Sequence, residues 1–326
     1  MNRLSDRPSM APRRPRRHHY QPQFYLAGFT DAGRPRGGRL SIVDVDSGEQ
    51  HTGKPNSEAY ARDFYRLEVD KSRDPFALEA WFSKHDGDAA PVVRAIESEE
   101  RLPTDSESYT QLVTFIALMT ARVPAMREHL AIPLRHLRRV VVDLATSSRE
   151  RCEHEIRRAR EAGASLPDVS YEKVRAAIKA GRIPIAQAEH LRNMITFAKA
   201  AIPMLGARRW VLLIAAEQQH FITSDSPVVV SWSDPERAVT FNNAPSLGTQ
   251  QTDLTFPLTK PLALLSRLEE GPFGVAHVDA NVVANLNSRR LLYADRFIYS
   301  TRPDFVWLTR DGRIAGLNAN PCRNSC

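Results

Sequence analysis

Three cysteines in 326 residues, Cys152, Cys322 and Cys326, are too few and too unevenly placed for a secreted disulfide framework. Cys322 and Cys326 have no second pair nearby, so a four-ligand zinc site is not expected and all three read as structural or incidental. No run of 18 apolar residues occurs, which excludes a membrane-spanning helix and any expected membrane partner. The Arg-rich N-terminus has no apolar stretch behind it, unlike a secretory signal, and lacks the amphipathic pattern of an organelle leader. The location expected is therefore the cytoplasm. Also missing are a phosphate-cradling glycine loop, a Gly-x-Ser-x-Gly elbow, a His-Glu-x-x-His helix and a Cys-x-x-Cys pair. Nucleoside triphosphatases, α/β-hydrolases, zincins and thiol-redox proteins are set aside on those grounds.

The chain does have an ordinary globular composition, 42% hydrophobic and 25% charged, with enough apolar residues for a large core. The formal net charge of +7 is unevenly spread. Residues 1–17 hold six arginines (Arg3, Arg7, Arg13, Arg14, Arg16 and Arg17) against the single acid Asp6. A second excess lies at 122–160, with ten arginines against five acids. The first segment has almost no large apolar residue, so it is expected to be a disordered basic tail. Such a tail can bind nucleic acid or another polyanion through counterion release, or serve only as a solvated arm.

Order is expected from His18. Phe24, Tyr25, Leu26 and Phe29 suggest a short helical plug ending near Gly28. Leu40–Val45 reads as a strand with a turn at Asp46-Ser47-Gly48 and a return strand, and 59–67 as a further extended piece. Between about 75 and 205 the apolar period is helical. One helix is expected before Pro91 and a second after it, then a capping box at Thr104-Asp105-Ser106-Glu107 opening a core helix that runs to Val123. Pro124 and Pro133 are expected to kink or divide the chain beyond Val123, and an Arg/Glu-rich helix to span 134–161. Helices near 170–180 and 185–202 complete this region. Strands return at 209–215, 221–223, 228–232, 254–256 and 262–265, then a helix at 279–293 and strands near 296–300 and 305–309. Strands, helices, then strands imply an α+β fold: a mixed or antiparallel sheet of N- and C-terminal strands packed with a central helical region, one domain over 18–320 and a flexible end at 321–326.

Several blocks together resemble a known family. His18-His19-Tyr20-x-Pro22-x-Phe24-Tyr25-Leu26-x-x-Phe29 is similar to the N-terminal hallmark of domain of unknown function 4238. The resemblance continues in Phe64-Tyr65, Leu78-Glu79, Ala121-Arg122-Val123-Pro124, Thr223-Ser224-Asp225-Ser226-Pro227, Phe256-Pro257-Leu258, and Asn285 through Ala294-x-Arg296. Where the family often shows a second Glu beyond Glu79, this chain has the shorter Asp86. The resemblance implies a shared fold and no particular activity.

Four residues are candidate catalytic groups. His18 or His19 offers a metal ligand, a general base or a phosphate donor near neutral pH, or else caps the following turn or bonds inside the core. Adjacent side chains diverge, so one of the two is expected in a site. Asp225 lies in a polar break between apolar strands, where it can hold a metal, orient a histidine, act as a base, or bond its own backbone in a turn. Arg122 adjoins an apolar stripe and needs an anionic partner, either substrate or an internal carboxylate such as Glu79 or Asp225. Gln23, Ser224 and Asn285 are candidate substrate contacts, with Glu79 and Asn287 behind them. The expectation is a hydrolase of a phosphodiester or other anionic substrate through a His/Asp/Arg site, with a divalent metal left open as cofactor. The alternative is a non-enzymatic module that binds nucleic acid or an acidic partner through the tail and the 134–161 helix.

Overall fold

The computed structural model describes residues 16–67, 74–165, 170–180, 184–240, 243–269, 273–309 and 311–316. The expected basic tail falls mostly on 1–15, and the expected flexible end on 317–326 with Cys322 and Cys326; both lie outside the described residues. Arg16 and Arg17, counted with the tail, belong to the folded body. Arg17 opens strand β1 (Arg17–His19), and Arg16 is ion-paired with Asp63.

The N-terminal segment continues with α1 (Gln23–Ala27), β2 (Leu40–Asp44), β3 (Gln50–Gly53) and β4 (Tyr60–Arg62). β1 pairs antiparallel with β4, which sets His18 opposite Ala61. α1 is the expected plug. Tyr25, Leu26 and Phe29 are fully buried, and the Tyr25 ring stacks on Phe256 with centroids 5.4 Å apart. Tyr25 Oη also donates to the Pro257 carbonyl, which ties the plug to a strand 232 residues later. The following Gly28 is required by packing: a Cβ there would lie 2.9 Å from Thr259 Cγ2.

Six helices form the middle: α2 (Ala77–Glu99), α3 (Ser106–Ala121), α4 (Pro124–Ala145), α5 (Arg149–Glu161), α6 (Tyr171–Lys179) and α7 (Gln187–Gly206). Four expectations need correction. Pro91 does not divide α2: it and Gly87, whose carbonyl loses its donor, are both exposed, so solvent replaces the missing bond. Pro133 is likewise exposed inside α4, while Pro124 sits at its first turn, where no N–H is needed. The helix expected over 134–161 is two, because Ser148 accepts from Arg151 N and caps a new start at Arg149. The cap of α3 is Asp105, accepting from Ser108 N at 2.8 Å, one residue beyond the expected Thr104.

The last third holds β5 (Arg209–Ala215), β6 (Thr223–Ser224), β7 (Val229–Trp232), β8 (Thr252–Pro257), β9 (Leu262–Arg267), β10 (Gly274–Val278), α8 (Ala280–Tyr293), β11 (Phe297–Ser300), β12 (Trp307–Leu308) and β13 (Ile314–Ala315). A five-stranded sheet runs β10-β5-β9-β8-β7, antiparallel except where β10 lies parallel to β5. β10 lies outside the expected strands: its inward and outward positions are all short of full burial, so it carries little apolar signal. The continuous apolar run of β5 reflects cover on both faces. Trp210, Leu212 and Ile214 meet the main core with α3 and α7, and Val211 and Leu213 meet Val283 and Leu286 of α8. A second, antiparallel sheet, β3-β2-β11-β6, joins N- and C-terminal strands. The architecture is α+β.

Candidate functional site

Glu79 and Asp86 are seven residues apart on α2. Two helical turns bring such residues back to nearly the same face, and Phe82 lies between them on that face. α3 delivers Arg122 at its C-terminal end, fully buried, with its guanidinium 5.7 Å from the Phe82 ring centroid. Arg122 Nη1 donates to Asp86 Oδ2 at 3.1 Å, and Nη2 lies 2.9 Å from Oδ1 as an ion-pair contact, although Oδ1 has no hydrogen-bond partner among the described residues. Nη2 also contacts Met119 Sδ at 3.1 Å. Burial opposes the charge on Arg122, but Asp86, Tyr65 and Glu79 outweigh it and raise its pKa. The partner of Arg122 is therefore the residue that stands where the family often shows a second Glu.

β1 brings His18 to the other end of this face. Its side chain is fully buried, stacked on Tyr65 with centroids 5.7 Å apart and edge-on to Phe76. His18 Nδ1 accepts from the Tyr65 backbone N–H at 2.8 Å, so the ring proton sits on Nε2. Glu79 Oε2 lies 4.0 Å from that same Nδ1. Because the Nδ1 lone pair is already taken and carries no proton, this contact is not an ion pair. Glu79 Oε2 is buried without a hydrogen-bond donor among the described residues. Burial raises the Glu79 carboxyl to about 7, with Arg122 pulling it down and Asp86 pushing it up. The Glu79 and Asp86 side chains keep 26% and 19% exposure, whereas those of His18 and Arg122 have none. His19 points away from His18. Its ring meets Tyr60, it bonds the Asn56 backbone, and its Nε2 is buried without a partner among the described residues. Burial lowers its pKa, with Asp86 close enough to raise it in part.

The structure thus brings His18 and Arg122 together around Glu79 and Asp86, turns His19 toward Tyr60 and Asn56, and sets Asp225 to another task. Asp225 Oδ1 accepts from Asp295 N at 2.8 Å, and Oδ2 from Arg296 N at 2.7 Å and Phe297 N at 2.9 Å. It clamps the end of α8 to the start of β11. Burial pushes its carboxyl up to about 6 against the pull of these three donors. Ser224 is buried in β6, its Oγ donating to the Ser226 carbonyl, its own carbonyl accepting from Gln21 Nε2. Gln23 is exposed on α1. Asn285 is exposed on α8, accepts from Arg289 and lines a separate cavity of about 420 Å³. Asn287 is structural, joining Ile222 N, the His220 carbonyl and the Val306 carbonyl. Among the described residues no group of three or more His, Cys, Asp and Glu is placed to hold a metal ion, and no helix is long and apolar enough to cross a membrane. Tyr65 is not among the sequence candidates; its place in the Phe64-Tyr65 pair is the available signal. In the Arg-rich region, Arg135 pairs with Glu128, Arg138 with Glu189 and Arg149 with Glu172.

The family model described as "Protein of unknown function (DUF4238)" matches residues 17–304. The chain belongs to this family. Every residue of the Glu79 cluster falls within the matched span. Neither a curated protein nor a solved structure matches the chain.

Proposed function

We propose that this member of the family is a hydrolase whose proton-transfer group is Glu79. The carrying observation is a division of labour between two carboxylates on one helix face. Each carboxylate has one buried oxygen without a donor among the described residues, but Asp86 is ion-paired with Arg122, whereas the Glu79 oxygen lies against an imidazole lone pair that cannot supply a proton. A carboxyl held near neutrality can take a proton from an attacking water and return it to a leaving group. Arg122 is spent on Asp86 and buried, so it acts as a positioning residue. Substrate would meet the Glu79–Asp86 side, where the side chains of the cluster keep partial exposure. Phosphodiesters, the class expected from the sequence, are the first substrates to try.

The test is hydrolysis of bis(4-nitrophenyl) phosphate by the full chain across pH 5–9. Glu79→Gln is expected to lower the rate at least ~100-fold with the fold intact, as loss of a general acid–base group does. Asp225→Asn, away from the cluster, is expected to keep the wild-type pH profile. A folded Glu79→Gln protein with unchanged turnover refutes the reading. An inert wild type removes phosphodiesters from it. The rival polyanion-binding reading draws less support, because Arg135, Arg138 and Arg149 are engaged with neighbouring acids. A steep fall in nucleic-acid affinity with salt would revive it.

A further inference from the structure

A cavity of about 330 Å³ opens where α3, α4 and α7 meet β7. Its walls include Met119, Val123, Met126, Phe197, Val228 and Val230. Met126, Phe197, Val228 and Val230 are only partly buried, so an occupant would cover apolar surface that the fold leaves open. The volume lies at the lower end of the ~300–1,000 Å³ range of small-molecule sites. No Asp, Glu, Lys or Arg lines it, and its histidine, His129, is exposed.

One lining hydroxyl is singled out by the hydrogen bonding around it. The Ser226 backbone is fixed on both sides by Ser224: Ser226 N donates to Ser224 Oγ at 3.2 Å, and Ser224 Oγ donates to the Ser226 carbonyl at 2.9 Å. Ser226 Oγ itself is buried with no hydrogen-bond partner among the described residues. The other lining hydroxyls differ: Thr120 Oγ1 is satisfied by the Ile116 carbonyl at 2.8 Å, Ser246 Oγ pairs with Thr249 Oγ1 at 2.6 Å, and Tyr293 is exposed. Buried polar groups are rarely left unpaired, and a water in this cavity would need two to four polar neighbours. Ser226 Oγ is thus the buried, unpaired hydroxyl of a mostly apolar lining.

We propose that this cavity is a binding site for a small, uncharged, largely apolar molecule carrying one hydrogen-bonding group that meets Ser226 Oγ. The absence of a charged side chain in the lining selects against an ionic ligand, since a buried charge without a counter-ion is strongly disfavoured. The enclosing walls suit a ring or a short branched chain, with dispersion contacts on several sides. The site is separate from the Glu79 face, although Met119 belongs to both: its sulfur touches Arg122 and its side chain lines the cavity. Binding here does not depend on the acid–base chemistry of Glu79, and Glu79→Gln is expected to leave it unchanged.

The experiment titrates the full chain with 4-methylphenol and with toluene, read by saturation-transfer NMR and calorimetry. Both are expected to bind, 4-methylphenol the more tightly. Ser226→Ala is expected to weaken 4-methylphenol about three- to tenfold, the range for one net hydrogen bond, with toluene no weaker. Val230→Trp fills the cavity from the sheet and Met126→Trp from α4; each is expected to abolish binding of both probes. Because the two blocking variants sit on different elements, failure of one to fold leaves the other. Absence of binding to the wild type at millimolar probe, unaltered binding in the folded Trp variants, or indifference of 4-methylphenol to Ser226→Ala each overturns the proposal.

Discussion

Replacing Glu79 by Gln should change how stability depends on pH, whatever the substrate is. Burial lifts the folded carboxyl from its ordinary value of 4.5 to about 7. Between those values the folded chain keeps the proton and the unfolded chain releases it. Stability conferred by that proton is therefore full below about 4.5 and is lost as pH rises through about 7. Each unit in the window is worth about 1.4 kcal/mol, and integrating from pH 5 to pH 8 gives a loss of roughly 2–3 kcal/mol. Gln carries no titrating proton, so Glu79→Gln lacks this loss. The stability gap, variant minus wild type, should widen by roughly 2–3 kcal/mol between pH 5 and pH 8, a few degrees in Tm for a chain of this length. Asp225, raised to about 6, contributes the same trend to both proteins and cancels in the difference. Urea unfolding of both proteins at the two pH values measures it. Parallel curves would mean that Glu79 titrates at its ordinary value, and the division of labour between the two carboxylates would fall with it.

Arg122→Ala leaves Asp86 without its ion-pair partner and should destabilise the fold by about 3 kcal/mol or more, measured by denaturant midpoint; a double-mutant cycle with Asp86→Asn should show strong coupling. Asp225→Ala removes the acceptor of three backbone N–H groups, each costing about 1–3 kcal/mol when stranded, so thermal stability should drop by several kcal/mol. Arg290 is fully buried. Its Nη2 donates to Thr255 Oγ1 at 2.6 Å, while Nε and Nη1 lack hydrogen-bond partners among the described residues. Burial drags its pKa down to about 9. Arg290→Met should therefore be neutral or stabilising by about 1–3 kcal/mol, and a clear loss in calorimetry would refute that expectation.

The strands and helices are mostly legible in the sequence because their apolar periods are clear, as in the unbroken run of β5 and the stripe Leu112–Phe115–Ile116–Met119 of α3. The departures share one cause. Proline and serine act through where they face, and facing is set by tertiary packing. Pro91 and Pro133 read as breaks, yet each lies on an exposed side where the lost backbone bond is replaced by solvent. Ser148 reads as helix interior, yet it caps a helix. The edge strand β10 escapes notice because edge position, next to β5, gives it no clean alternation.

The site is legible in its residue types and illegible in its pairings. His18 and Arg122 lie 104 positions apart, and local sequence offers no rule for choosing which acid Arg122 meets. Glu79, Asp86 and Asp225 are chemically alike in the sequence. What separates them is the count of donors that the fold supplies. Asp225 receives three backbone N–H groups. Asp86 receives a guanidinium. Glu79 has an oxygen facing a nitrogen whose lone pair is already committed. Burial raises both Asp225 and Glu79, to about 6 and about 7, but the donors of Asp225 pull it back and Glu79 Oε2 has none among the described residues. The seven-residue spacing of Glu79 and Asp86 marks a shared helix face in advance. The backbone N–H of Tyr65 occupies His18 Nδ1 and so leaves Glu79 without a proton donor there. A change that freed that nitrogen would let His18 donate to Glu79, lower the carboxyl and convert the contact into an ordinary ion pair.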